Sequence, residues 1–346
     1  MSIVIGLTYN LEEDYVFSRP LFNSWRDPAF AGKEDAPYDA NAEFDREETI
    51  DMIAASLESF GYKVIKIGGL ENLLASLDGL RVDIVFNLGE GMSGRNRESQ
   101  IPIILEAKGI PFVGADGLTL GLALDKLMTK KLLAYEGIPT PKFFTVEDSL
   151  SLNGLYGLKF PMIVKPRWEG SSKGISVRSR VERKEELAER IDELVYNYQQ
   201  PALVEEFIRG REFTVAMIGN DRKIEILPIA QIKINGKIDL CDEFYTYDYI
   251  FSDKLEYVCP AEIDEALKER IEDLAVRTYR LVECRDFGRV DIRVDLEGRP
   301  YVLEINPLPS LSTEDVFSVV AKFWGMDYSQ MIKKILDVAL ERYEIR

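Results

Sequence analysis

The chain has 346 residues, 46% of them hydrophobic and 30% charged, which is enough for two or three packed domains. Acidic residues outnumber basic ones by 60 to 43, and the formal net charge of −17 opposes binding to nucleic acid or to an anionic membrane surface. Histidine is absent, which excludes Ser-His-Asp and Cys-His nucleophile systems and every histidine-containing metal site.

The predicted elements begin with a strand over 3–7. It follows the first residues without a basic leader or cleavage signal, and no stretch nears the ~20 apolar residues of a membrane span, so a cytoplasmic protein is expected. Residues 10–41, with Pro20, Pro28, Gly32 and Pro37, have no clear period and read as a long loop. A helix is predicted over 47–60, with Ile50, Ile53, Ala54 and Leu57 on one face and Gly61 past its end. Strands follow at 63–67 and 83–87, then a helix near 101–107 and a short strand at 111–113. Such alternation predicts an α/β unit with a parallel sheet covered by helices.

A second block opens with a helix over 125–135 and continues with a strand at 162–165, a glycine-serine loop and a strand at 175–178. A charged helix over 182–195 and a strand at 202–207 complete it. The third block, from about Arg209, starts with antiparallel strands, includes a strand pair at 289–295 and 300–306, and ends in a helical tail. Domains are therefore expected over 1–120, 121–208 and 209–346. Cys241, Cys259 and Cys284 form no C-x-x-C pair and read as buried structural thiols.

The strand pair is the most informative segment. Both halves alternate, and Leu296-Glu297-Gly298-Arg299 is a plausible four-residue loop. If Asp295 faces Pro300, Asp291 lies opposite Glu304 and Arg289 opposite Asn306, all on one face because the strand period is two. Val290, Ile292, Val294, Leu303 and Ile305 then point to the core. Two opposed carboxylates destabilise a sheet unless a cation compensates, and all-oxygen donors suit Mg²⁺ or Mn²⁺ beside a phosphate. The alternative is a solvated polar face whose acids are neutralised by Arg289 and Arg293.

Lys165 ends a predicted strand, and the loop Glu169-Gly170-Ser171-Ser172-Lys173-Gly174 after it offers backbone amides for a phosphate, or forms a plain turn. Lys126 either reaches the same anion or is a surface lysine. Glu205, Phe207, Ile208 and Glu212 surround a strand end where a purine and ribose could be read, or where glutamates simply face solvent. Gly89, Gly91 and Gly94 match a dinucleotide fingerprint, but Glu90 is anionic and Pro102 sets the helix start well beyond the glycines, which weakens an NAD(P)-dependent oxidoreductase reading.

Taken in order, these segments resemble ATP-grasp carboxylate–amine ligases, most closely D-alanine–D-alanine ligases. The resemblance rests on Asp125-Lys126, Val164-Lys165-Pro166 with Glu169-Gly170-Ser171-Ser172, Val204-Glu205-Glu206-Phe207-Ile208 with Gly210-Arg211-Glu212, Arg289-Val290-Asp291, and Leu303-Glu304-Ile305-Asn306. It implies a three-domain ATP-grasp architecture: an N-terminal Rossmann-like parallel sheet and two α+β domains clamping ATP. On that resemblance, Lys126, Lys165 and Ser172 hold phosphates, while Glu205, Phe207 and Ile208 frame adenine and Glu212 binds ribose. Asp291, Glu304 and Asn306 bind Mg²⁺, and Arg289, Ser171 and Ser310 are the catalytic residues. The implied partners are small, amino-acid-like substrates, and a homodimer is an allowed assembly. Phosphoryl transfer of this kind runs on positioning and charge, so the missing histidine is no obstacle. The chain departs from the family on the substrate side. Glu43 stands only loosely for a substrate-binding glutamate, and Tyr249-Ile250 replaces a Lys-Tyr pair. Pro309-Ser310 replaces Pro-Gly, and Asp315 falls where a serine would hold a carboxylate. An altered substrate is expected, and an ATP-binding homologue without ligase turnover is the alternative.

Overall fold

A computed structural model describes residues 2–14, 37–152, 154, 156–250 and 252–346. The N-terminal sheet alternates with helices: β1 (Val4–Tyr9), α1 (Glu47–Ser59), β2 (Lys63–Gly68), α2 (Leu70–Ser76), β3 (Ile84–Leu88), α3 (Gln100–Ala107) and β4 (Phe112–Val113). All of its strand pairs are parallel, in the order β2-β1-β3-β4. Helix α1 buries Ile50, Ile53, Ala54 and Leu57, the face set by its apolar period. Two aspartates then start two helices by accepting backbone N–H groups: Asp116 for α4 (Gly117–Leu124) and Asp125 for α5 (Lys126–Tyr135).

The central sheet contains β5 (Phe143–Val146), β6 (Met162–Pro166), β7 (Arg180–Val181) and, after helix α6 (Lys184–Tyr198), β8 (Ala202–Glu206); its order is β5-β8-β6-β7, all antiparallel. The third sheet is built from β9 (Gly210–Ile218), β10 (Glu225–Ile226), β11 (Ala230–Ile234), β12 (Leu255–Val258), β13 (Phe287–Asp295) and β14 (Pro300–Asn306). Its order is β12-β11-β9-β13-β14, with β10 on β9. A short helix α7 (Tyr247–Ile250) precedes β12, α8 (Glu265–Leu281) covers one face, and α9 (Val316–Phe323) and α10 (Tyr328–Arg342) close the chain. Those last helices pack on α1 and the parallel sheet, so Ile5, Ile50 and Phe86 share one apolar cluster with Phe287, Phe317 and Leu336.

The expected long loop lies mostly in residues outside the described ones; its described ends carry a short 3₁₀ turn, Glu12–Asp14, and turns around residues 38–43. Helices α2 and α4 and strand β5 have no counterpart in the sequence reading. In α4 two glycines and alternating leucines give no helical period. The strand expected over 175–178 is instead a 3₁₀ turn, Val177–Ser179. Ser176 caps it, and buried Arg190 donates to the Gly174 carbonyl at 2.6 Å and to the Ser179 hydroxyl at 3.0 Å, bending the chain out of the sheet. Cys259 and Cys284 are buried, whereas Cys241 is partly exposed.

The hairpin departs from the expected register at its turn. Asp295 pairs with Arg299 around a three-residue loop in which Gly298 takes φ +80°, so Val294, rather than Asp295, faces Pro300. A bulge in β14 then restores the expected pairing of Asp291 with Glu304 and of Arg289 with Asn306. The extra residue is Leu303. Val302 takes the core position and is fully buried, while Leu303 turns to the cavity described next.

Candidate active site

Strand β13 lies between β9 and β14, so three strands deliver side chains to one face. The register sets Asp291 opposite both Glu304 and Thr214, and Arg293 opposite Glu212. Thr214 Oγ1 donates to Asp291 Oδ1 at 2.7 Å, and Asn306 Nδ2 donates to Oδ2 at 2.9 Å. Arg289 Nε lies 3.8 Å from that oxygen, and Lys126 Nζ lies 3.2 Å from Glu304 Oε2. Burial raises the Asp291 carboxyl above its ordinary range, with Arg289 opposing and Glu304 adding to the rise. Burial acts on Glu304 too, but Lys126 and Lys165 hold it down to about 2. A divalent cation fits this donor set, because two half-buried carboxylates and an amide on paired strands are all hard oxygen donors.

The opposite wall comes from the central sheet. Lys165 and Lys130 share Glu205, at 2.9 and 3.2 Å, and all three are buried. Burial pushes Lys130 down to about 8, Glu205 opposing and Lys165 assisting. Glu205 stays below the usual carboxylate range against its burial because both ammoniums face it. Phe207 lies under two guanidiniums, Arg293 at 4.7 Å and Arg180 at 5.2 Å from its ring centre. Arg293 Nη1 also approaches Glu212 Oε2 at 3.2 Å, and burial raises the Glu212 carboxyl despite that partner.

Ser171 and Ser172 take φ values of +42° and +56° in the glycine-serine loop. Successive left-handed residues are costly for side chains with a Cβ and gather at functional sites. The flanking amides are taken: Gly170 N–H donates to Glu43, Lys173 N–H to the Gly170 carbonyl at 2.9 Å, and Gly174 N–H to Asp39 at 2.7 Å. No described group accepts from the Ser171 and Ser172 amides, which leaves them for an anion. Glu43 is consumed by this scaffold, since it also pairs with Arg97 and with Lys173, the latter at 2.9 Å.

Two adjoining cavities result. The larger, about 550 Å³, lies between the central and third sheets and is bordered by Lys165, Ser172, Glu205, Phe207, Ile208, Glu212, Asp291 and Glu304. The smaller, about 100 Å³, is bordered by Lys126 and Asn306. Ser171, Arg289 and Ser310 border both. Every residue to which the sequence resemblance gave a nucleotide, metal or catalytic role thus lies on one of these walls, whereas Tyr249, Gly89, Gly91 and Gly94 lie on neither. Sequence reasoning missed Thr214, Lys130 and Leu303, and gave Arg293 only a neutralising part. Arg293 was within reach of the two-residue period from Asp291; Thr214 and Lys130 depend on pairings that no local pattern carries. A third carboxylate group, Glu43, Glu90 and Glu98, converges within 4.8 Å beside the smaller cavity. Arg97 pairs with Glu43 and Glu98 and Lys173 with Glu43, while burial raises the Glu90 carboxyl well above its ordinary value. The glycines of the dinucleotide fingerprint open no helix, because α3 starts at Gln100.

The comparisons with known proteins bear on family and fold. Residues 132–337 match the family model described as D-ala D-ala ligase C-terminus. The chain is 36% identical over 301 residues to the uncharacterized protein y4sG of Sinorhizobium fredii, an alignment covering 85% of this chain and 88% of that one. It is 31% identical over 308 residues to the D-alanine–D-alanine ligase of Pelotomaculum thermopropionicum, covering 86% and 93%. A crystal structure of D-alanine–D-alanine ligase from Bacillus anthracis superposes with a TM-score of 0.75 at 25% identity over 99% of both chains. By fold, by the residues matched and by the sequences it resembles, the chain belongs to the D-alanine–D-alanine ligase family of ATP-grasp proteins.

Proposed function

We propose that the protein is an ATP-dependent, ADP-forming carboxylate–amine ligase of the cytoplasm that requires Mg²⁺ or Mn²⁺. The observation that carries this reading is the convergence of Asp291, Glu304 and Asn306 on one cavity with Lys126 and Lys165. Asp291, Glu304 and Asn306 would hold the metal, which when bound neutralises phosphate charge. Lys126, Lys165 and the free amides of Ser171 and Ser172 receive the phosphates. Glu205, Phe207 and Ile208 border the adenine, and Glu212 accepts from the ribose. The donor carboxylate attacks the γ-phosphorus, the bond to the β-phosphate oxygen breaks, and an acyl phosphate and ADP form. The amine then attacks the acyl carbon, phosphate leaves, and the nitrogen loses a proton. Arg289, with Ser310 and Ser171 at the junction of the cavities, stabilises charge at the reacting carbon. Asp315, 3.6 Å from Arg289, would repel a substrate carboxylate placed there, which supports at least one substrate other than D-alanine.

In thermal melts, Mg²⁺ with a non-hydrolysable ATP analogue should raise the midpoint, and Asp291→Asn or Glu304→Gln should lose the Mg²⁺-dependent part of that rise. An unchanged shift in both variants rejects the proposed metal site. A second reading, nucleotide binding without turnover, is favoured by Ile250 at the cavity wall, in a position where relatives are expected to carry a tyrosine. It gives the same melt but no ADP release with any donor and amine.

A further inference from the structure

The charges around the smaller cavity do not balance. Among the described residues its two lining cations are already matched: Lys126 by Glu304 at 3.2 Å, and Arg289 by Asp315 at 3.6 Å and Asp291 at 3.8 Å. Glu43 and Glu169 share Lys173 at 2.9 and 2.7 Å and Arg97 behind it, and burial raises the Glu90 and Glu98 carboxyls of the same wall. Two carboxylates at the mouth, where the smaller cavity meets the larger, are left in excess: Asp45 and Asp315. Asp315 shares its single cation with Asp291 and accepts from the Val316 amide at 2.6 Å. Asp45 is surrounded by protein, yet the surface it keeps faces the cavity, and no described group donates to its side chain. Burial, Asp315 and Glu12 together push its carboxyl up to about 7. Arg46, the nearest cation in sequence, is turned to Glu12 at 3.5 Å.

A ligand carboxylate placed here would become another like charge in a poorly solvated space, whereas an ammonium would relieve the repulsion already present. Phe44 and Tyr245 border the adjoining space, an apolar and aromatic surface suited to a short methylene chain beside a cation. Resting on the ligase reading above, we propose that the amine substrate is a carboxylate-free diamine or polyamine. Its second ammonium is held between Asp45 and Asp315, and its other nitrogen, deprotonated, faces the acyl carbon beside Arg289. The excess of carboxylate selects against free amino acids, whose carboxylate would enter the same space.

The test is calorimetric titration of the protein saturated with Mg²⁺ and a non-hydrolysable ATP analogue. The probes are 1,3-diaminopropane, 1,4-diaminobutane and 1,5-diaminopentane, with n-butylamine, 4-aminobutanoate and D-alanine as comparisons. At least one diamine should bind about tenfold or more tighter than each comparison. Asp45→Asn should remove most of that preference, Asp315→Asn should weaken it while keeping a helix-capping side chain, and Asp45→Glu should restore part of it. The nucleotide-induced rise in melting temperature, measured for each variant, checks folding. Equal or tighter binding of 4-aminobutanoate or D-alanine, absence of diamine binding, or a preference indifferent to both substitutions overturns the proposal. Failure of the ligase reading is separate: there, the wild-type protein shows no Mg²⁺-dependent nucleotide binding, or binds nucleotide but releases no ADP with any donor and amine.

Discussion

Glu90 and Glu98 meet in the wall of the smaller cavity, hydrogen-bonded to one another with Arg97 alongside. Burial raises Glu98 to about 7, Arg97 opposing it and Glu43 adding to it, and Glu90 is raised well above its ordinary value chiefly by burial. A carboxyl raised on folding contributes its full stability below its unfolded value of 4.5, and loses it as pH rises through about 7. Glutamine imitates the protonated form. Glu98→Gln should therefore be near neutral at pH 5 and gain about 1 kcal/mol or more on wild type by pH 8 in urea unfolding. A stability difference that does not move between those pH values would mean that Glu98 is ionised in the folded protein. The sequence displayed these acids but could not sort them. Glu43 stood as a loose substrate ligand, and its capture by Arg97 and Lys173 depends on a loop 130 residues further along the chain.

Among the elements, the hairpin of β13 and β14 shows where a periodic pattern stops being sufficient. Alternation set the pairs at the site correctly only because the bulge at Leu303 undid the one-residue shift made at the turn; without it Asp291 and Glu304 would lie on opposite faces. The same alternation assigned Leu303 to the core, since strict alternation has no place for an unpaired residue. The left-handed Gly298 shortened the loop, and the bulge absorbed the resulting offset. Val302→Ala should cost about 2 kcal/mol with nucleotide affinity retained. Leu303→Ala should change stability by less than about 1 kcal/mol and weaken nucleotide binding about tenfold, as expected when a side chain leaves a ligand cavity rather than the core. The opposite assignment of the two effects would place Leu303 in the core after all. A similar limit applies at 175–178, where an apolar, β-branched run yields to side-chain hydrogen bonds from Ser176 and Arg190.

At the scale of the whole molecule, the ends of the chain are joined. Buried Asp286, just before β13, accepts from Arg342 of α10 at 2.6 Å, from the Gly114 amide at 2.8 Å and from Asn220 at 2.8 Å. It ties the last helix, the parallel sheet and the third sheet at one point, beneath the apolar cluster they share. Asp286→Ala leaves Arg342 without its carboxylate in a largely enclosed space and should cost about 3–5 kcal/mol in denaturant unfolding; a loss under about 1 kcal/mol would show that the apolar cluster alone holds these parts together. None of the described helices is long and apolar enough to cross a membrane. What the sequence by itself determined was local: the periods of most strands and helices, the parallel unit, and an ordered set of charged residues with the chemistry of a phosphate and metal site. These follow from side-chain alternation and turn residues, which act over a few positions. The tertiary structure alone decided which charges cancel. Lys126 meets Glu304, Glu43 meets Lys173, and Asp45 is left with Asp315, because the net charge of a cavity depends on how distant elements pack around it.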